Sequence, residues 1–310
     1  MEQPLLMRQL VWLARLASLS SLGAAVLLAS CTLFDDPLRE LDPALRDSTL
    51  TALPASARGT VPRRHLLESF GSYGCVSCPE AESRLSPYIH SVARPQGIVV
   101  VNYHVKFGSI SDPWITPATQ AWNDAKGYVS LPQAVMDGSN AAYGIREKDV
   151  AFKTGEYDSL AARALRSGSE SSLELRIDTA GIVYDTVAGK IRLSFQARNL
   201  GDADAGALAF RVLAVKNRSA VIPIYPTPWE VIVAELAVTD AQGDPLALSA
   251  LAPLTAKTFS VEMDIGPETG KHVRPPPQGQ ETLADYGLVV AAQGRNGTII
   301  NVSAWKYAPR

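Results

Sequence analysis

The chain has 310 residues and a formal net charge of −2, with 29 basic and 31 acidic side chains interspersed along it. That balance leaves no electrostatic footprint for a nucleic acid, and an apolar fraction of 46 % is ample for buried cores. Beyond the first thirty residues no apolar run approaches the roughly 20 residues that a bilayer-spanning helix needs.

The N-terminus reads as an export signal. Arg8 and Arg15 supply positive charge, and an apolar run from about Leu16 to Leu28 follows. It ends in Leu28-Ala29-Ser30-Cys31, which resembles the lipobox of bacterial lipoproteins. The resemblance implies a signal peptide over residues 1–30, cleavage before Cys31, and a lipid on that thiol that holds the protein to a membrane of the cell envelope. Thr32 follows the cysteine where an aspartate would retain the protein at the inner membrane, so one common sorting rule points to the outer membrane. The alternative is an ordinary signal with Cys31 as a bystander. Residues 31–60, rich in Asp, Pro, Arg, Ser and Ala, read as the lipidated cysteine and a tether.

Residues 61–165 carry an α/β pattern. His65 to Phe70 is a strand candidate. Pro79 to Ala93 is helical, with Pro79 suited to the first turn, Glu80 and Glu82 near the positive end, and an apolar stripe of Leu85, Ile89 and Val92. Gly97 ends it, and Ile98 to Val105 reads as a buried strand. A loop (Lys106 to Thr116), a helix (Pro117 to Lys126) and a strand after Pro132 follow. From about residue 170 the pattern changes to alternation: Leu173/Leu175/Ile177, Ile191/Leu193/Phe195 and Phe210/Val212/Ala214 each mark one face. Further strands are expected over Val231 to Val238, Thr258 to Met263, Gly287 to Ala292 and Ile299 to Trp305, with a hairpin at Asn296-Gly297. Residues 170–310 are therefore expected to form an antiparallel, immunoglobulin-like β-sandwich.

The chemistry concentrates in Phe70-Gly71-Ser72-Tyr73-Gly74-Cys75-Val76-Ser77-Cys78-Pro79. The sequence has three cysteines; with Cys31 acylated, an even pair remains in a compartment where disulfides persist. Cys75 arrives where a helix begins, and unpaired amides at that end stabilise a thiolate if the thiol is exposed. Cys78, one turn on, is close enough to bond with it. Cys75 is the expected nucleophile and Cys78 the resolving thiol. Leu131-Pro132 opens a strand that ends at Asp137-Gly138, a pattern that fits a cis-proline shaping a groove beside the dithiol. Tyr73 and Leu131 are candidate groove residues.

Here the chain resembles the thioredoxin-like superfamily and, more narrowly, the family related to a 28-kDa outer membrane protein. The resemblance lies in Leu66 to Phe70 running into Cys75-Val76-Ser77-Cys78-Pro79, in Tyr103-His104, in Asp112-Pro113-Trp114, and in Leu131-Pro132 through Asp137-Gly138. It covers residues 61–165 well and the β-rich remainder diffusely. It implies that Cys75 attacks, Cys78 resolves and Pro132 is cis. There are departures: Gly74 stands in place of a tryptophan, Val76-Ser77 in place of Gly-Pro, and Ser69 where thioredoxins keep a buried acid. Glu68, one place earlier, is the candidate for proton handling.

The reading that follows is a thioredoxin-like domain with a β-sandwich behind it, forming a membrane-anchored thiol–disulfide oxidoreductase of the cell envelope. Its partners would be exported proteins or peptides carrying thiols or disulfides; no cofactor, metal or nucleic acid is expected. His104 is expected to be a strand residue facing a groove or solvent, and Asp112-Pro113-Trp114 a turn with an aromatic plug. The alternative is a non-enzymatic outer-membrane lipoprotein, a binding or scaffold module in which Cys75–Cys78 is a staple. The enzymatic reading rests on a Cys75 sulfur that is presented, reactive and reachable where the first helix starts; a Cys75 walled off inside the domain, or too far from Cys78 to bond with it, would make a tethered scaffold the better description.

Overall fold

A computed structural model describes residues 50–108, 112, 114–126, 131–138, 156–185, 188–218, 230–238, 246–265 and 286–306. The expected signal, Cys31 and most of the tether lie outside these residues. The chain is mostly β, with three α-helices among the described residues.

Two short strands, β1 (Thr51–Ala52) and β2 (Val61–Pro62), precede β3 (His65–Gly71). Helix α1 (Cys78–Tyr88) follows and runs into a π-helical turn over Ile89–Ala93. Pro87 lies inside α1 and has no amide to donate, and the widened turn comes directly after it. Gly97, at φ 74°, turns the chain into β4 (Ile98–His104). Then come α2 (Pro117–Lys126), β5 (Gln133–Met136) and α3 (Glu156–Arg166). The second half contains β6 (Glu170–Ser171), β7 (Leu173–Ile177), β8 (Val183–Asp185), β9 (Lys190–Asn199), β10 (Leu208–Arg218) and β11 (Glu230–Ala237). It ends with β12 (Ala247–Leu248), β13 (Thr255–Asp264), β14 (Tyr286–Gly294) and β15 (Ile299–Trp305).

Strand β3 is central to the first half. It runs parallel to β4, from His65 opposite Ile98 to Gly71 opposite His104, and antiparallel to β5 on its other side. The helix expected at Pro117 to Lys126 is present. Helix α3 was not expected, although Tyr157, Leu160, Ala161 and Ala164 are all buried and recur at helical spacing.

The two halves share one sheet. Its order is β15-β14-β10-β11-β4-β3-β5, with β12 on β10. The junction is the parallel pair β4–β11, where Ile232 lies opposite Asn102. The far edge returns to the near one: Ile299 N–H donates to the Asp137 carbonyl at 2.9 Å, and Arg63 donates to the Ile299 carbonyl at 2.8 Å. A second sheet, β1-β13-β9-β7 with β8 on β9, packs beneath.

The alternation along β10 and β14 has two buried faces where the sequence marks one. Phe210, Val212, Ala214, Leu288 and Val290 belong to the core shared with the second sheet. Their neighbours Leu213, Val215, Val289 and Ala291 belong to the core built around Leu66, Phe70, Val101 and Tyr103 of the first half. A residue period of two sends successive side chains to opposite sides, so the same strands serve both cores.

Candidate functional site

The site forms where β3 ends. Past Gly71 the chain turns through Ser72, whose carbonyl accepts the Cys75 amide at 3.2 Å while its hydroxyl accepts the Gly74 amide at 3.2 Å. Cys75 N–H is thereby satisfied by the turn, and the Cys75 carbonyl in turn accepts the Cys78 amide at 3.2 Å. Cys78 is the first residue of α1, with Pro79 behind it in the first turn, where a missing amide costs no helical bond. The two sulfurs are bonded, across a Cα–Cα distance of 5.3 Å.

Cys75 therefore lies in the turn ahead of the helix, not in its first turn, and it does not meet solvent. Both cysteines are only 1 % exposed, while Val76 between them is 99 % exposed. The expectation of a solvent-facing Cys75 is thus corrected for this oxidised state. The reason is a small apolar shield: Tyr73 and Ile232 are buried against the disulfide, and Trp114 and Leu131 pack on it half-exposed. The sulfurs lie one side chain below the surface. Ile232 comes from β11, so the second half supplies one wall.

The Leu131–Pro132 peptide bond is cis, and Pro132 is buried at the mouth of β5. The two groove candidates, Tyr73 and Leu131, are thus both brought to the dithiol. Glu68 is engaged elsewhere. Arg211 on β10 donates to Glu68 Oε1 at 2.6 Å, with both side chains almost fully buried, and the guanidinium stacks over the Trp122 ring of α2 at 4.2 Å. This pair ties β3 to the second half.

Asp112 and His104 are the residues whose part in the site the sequence analysis missed. His104 neither faces solvent nor lines an open groove: it is buried, with Nδ1 2.7 Å from Asp112 Oδ2. The same carboxylate accepts the Tyr73 amide at 2.9 Å and the Trp114 amide at 3.0 Å. Burial pushes the Asp112 carboxyl up, but the adjacent His104 ring, the hydrogen bond to it and the Trp114 and Tyr73 amides outweigh that and hold it below its ordinary value. Trp114 in turn donates its indole N–H to the Tyr73 hydroxyl at 3.0 Å. Trp114 packs on the cluster as an aromatic plug and Asp112 is its fastening, while Pro113 lies outside the described residues. The spacing alone gave one clue: an acid eight residues after a strand-end histidine.

Among the described residues, no group of three or more His, Cys, Asp or Glu side chains could hold a metal ion, and no helix is long and apolar enough to cross a membrane. What the geometry defines is a closed C-x-x-C at a helix start inside a strand–helix–strand unit, compatible with a redox-type module.

No protein-family model matches the sequence, and no curated protein matches it. Among solved structures, HBP35 of Porphyromonas gingivalis is similar over 80 % of this chain and 76 % of its own, with a TM-score of 0.59 at 16 % identity. A protein of Agrobacterium tumefaciens solved by structural genomics matches over 81 % of this chain and 97 % of its own, at a TM-score of 0.48 and 18 % identity. A domain of the outer membrane lipoprotein Omp28 of Porphyromonas gingivalis matches over 43 % and 86 %, at a TM-score of 0.25 and 10 % identity. At such identities the likeness bears on fold alone, and of these three it rests on the HBP35 match.

Proposed function

We propose that the chain is a thiol–disulfide oxidoreductase of the cell envelope, anchored through lipid on Cys31 on the periplasmic or surface face of the outer membrane. Residues 61–165 act as its thioredoxin-like module and residues 170–310 as a β-sandwich that also walls the dithiol. The observation that carries the reading is the Cys75–Cys78 bond at the start of α1, with Leu131 packed against it.

In the reduced state the Cys75 thiolate attacks one sulfur of a substrate disulfide. The substrate S–S bond breaks, a Cys75–substrate disulfide forms, and one substrate thiolate leaves and takes a proton. The Cys78 thiolate then attacks the Cys75 sulfur, releasing the second substrate thiolate. Two electrons and two protons have passed to the substrate, and the Cys75–Cys78 disulfide remains. A dithiol protein of the envelope or a small-molecule dithiol restores the reduced form by the reverse exchange.

Cys75 is the better attacker because half-exposed Gly74 and exposed Val76 flank it, whereas Cys78 continues into the helix. Among the described residues that shield the disulfide, Trp114 and Leu131 are in contact with solvent, and an incoming chain would displace them. Pro132 offers no amide, so a substrate backbone laid beside it would meet no competing donor there. Glu68 is given no proton-handling role, since Arg211 holds its carboxylate.

A second reading, an outer-membrane binding or scaffold lipoprotein with a structural staple, is favoured by the 1 % exposure of both cysteines. Reduction of insulin disulfides separates the two. The full chain carrying Cys31→Ala, supplied with dithiothreitol, should outpace dithiothreitol alone, and adding Cys75→Ser should return the rate to that baseline. Equal rates for the two proteins leave the staple reading in possession.

A further inference from the structure

We propose that Asp112 is a positioning residue for the dithiol: it fastens Tyr73 and Trp114 over the Cys75–Cys78 bond and so sets how readily a reagent reaches the sulfurs. This deepens the oxidoreductase reading and rests on the dithiol being reactive.

The bonds close a ring. Asp112 Oδ2 accepts the Tyr73 amide and Oδ1 the Trp114 amide, and the Trp114 indole donates back to the Tyr73 hydroxyl. Tyr73 and Trp114 are therefore joined twice, through one carboxylate at their backbones and directly at their side chains. Both pack against the disulfide. Further supports converge on the ring: the His104 and Tyr73 rings meet at 85° with centroids 5.3 Å apart, and the Lys216 ammonium of β10 stands 5.0 Å from the Trp114 centroid. Asp112 itself is 4 % exposed. Hydrogen bonds to an ionised acceptor in such a place are charge-assisted and strong, so the carboxylate dominates the ring.

The protein contains its own control. His65 Nδ1 lies 2.7 Å from Asp137 Oδ2, a second His–Asp pair that is completely buried. It sits at the opposite end of β3, where Asp137 also accepts the Leu66 amide at 2.9 Å and an Arg63 N–H at 3.2 Å. It clamps the strand ends and is not part of the apolar cluster around the disulfide. Loss of the Asp112 carboxylate and loss of the Asp137 carboxylate should both weaken the fold, but only the first should unshield the sulfurs.

The test is native-state reduction of the full chain carrying Cys31→Ala, which leaves Cys75 and Cys78 as its only thiols. The probe is tris(2-carboxyethyl)phosphine, which converts the disulfide to two thiols while water supplies the oxygen of the phosphine oxide. Released thiols are counted against time. Asp112→Asn should react about tenfold faster than the parent, the scale on which a lost charge-assisted bond moves a local opening equilibrium, while Asp137→Asn should stay near the parent rate. Trp114→Ala, which leaves the carboxylate in place, should also react faster and carries the test if Asp112→Asn does not fold. Equal rates for the parent and these variants, or equal acceleration by Asp137→Asn, overturn the proposal. Insulin reduction by the same preparations keeps the two ideas apart. Acceleration without turnover upholds the role of Asp112 in shielding and removes the oxidoreductase reading; turnover with no acceleration does the opposite.

Discussion

Ile232 on β11 lies opposite Asn102 on β4, and the same isoleucine is fully buried against the Cys75–Cys78 bond. Asn102 donates its side-chain amide to Glu82 of α1 at 2.8 Å. One pairing thus links the second half of the chain to the dithiol twice, by direct packing and through the helix that Cys78 opens. The β-rich half is part of the site's wall as well as a neighbour in the sheet.

The shared sheet predicts an unusual mutational pattern. Leu213 on β10 and Leu288 on β14 face opposite cores, and each is completely buried. Leu213→Ala and Leu288→Ala should each cost about 2–5 kcal/mol, measured by urea unfolding. A free-standing sandwich with a solvated outer face would tolerate one of the pair, so a near-neutral Leu213→Ala would argue against the continuous sheet.

Glu68 and Arg211 should behave as a buried ion pair whose partners are expensive to separate. Glu68→Gln leaves the guanidinium without its counter-charge and should lose about 3–5 kcal/mol, whereas Glu68→Leu with Arg211→Met should be near neutral or stabilising. Chemical denaturation reads both. If Glu68 does handle protons for the dithiol, Glu68→Gln will shift the pH profile of Cys75 alkylation in the reduced protein; the ion-pair account predicts that the profile stays in place.

How far the sequence reveals this molecule depends on the range of each interaction. Strand β3, the helix at Pro117–Lys126 and the turn at Asn296-Gly297 are written in local periods and turn residues, and they stand where those signals put them. Helix α3 has a legible stripe in Tyr157, Leu160, Ala161 and Ala164, but the stripe is short and two of its four members are alanines, so it marks an apolar face only weakly. The burial of Cys75 could not be read locally, because Ile232 and Trp114, distant in the chain, complete the shield. The same holds for Glu68, whose partner Arg211 lies 143 positions away. Its polarity on a buried strand signalled that it needed a partner, without naming one. His104 and Asp112 lay close enough in sequence to be paired, and only their burial shows that they face each other.

Acid should weaken the Asp112 fastening in a defined direction. Its carboxyl is held below the ordinary value in the folded protein. A depressed folded-state pKa contributes stability that is fully present above the unfolded value, about 3.9, and is lost as pH falls through the folded one. The stability gap between the parent and Asp112→Asn should therefore be constant near neutrality and shrink between about pH 5 and pH 2. Urea unfolding across that range measures it. A gap that holds steady to the acid end would mean that the carboxylate's charge contributes nothing there.

The central claim is that Cys75 attacks and Cys78 resolves, and covalent trapping tests it most directly. With Cys31→Ala in the background, the reduced Cys78→Ser protein is mixed with a disulfide-bonded peptide, and the adduct is mapped by mass spectrometry under non-reducing conditions. The account predicts a stable mixed disulfide on Cys75, with Cys75→Ser giving little or no matching adduct on Cys78. Failure of Cys78→Ser to trap peptide, or preferential trapping on Cys78 in Cys75→Ser, would contradict it.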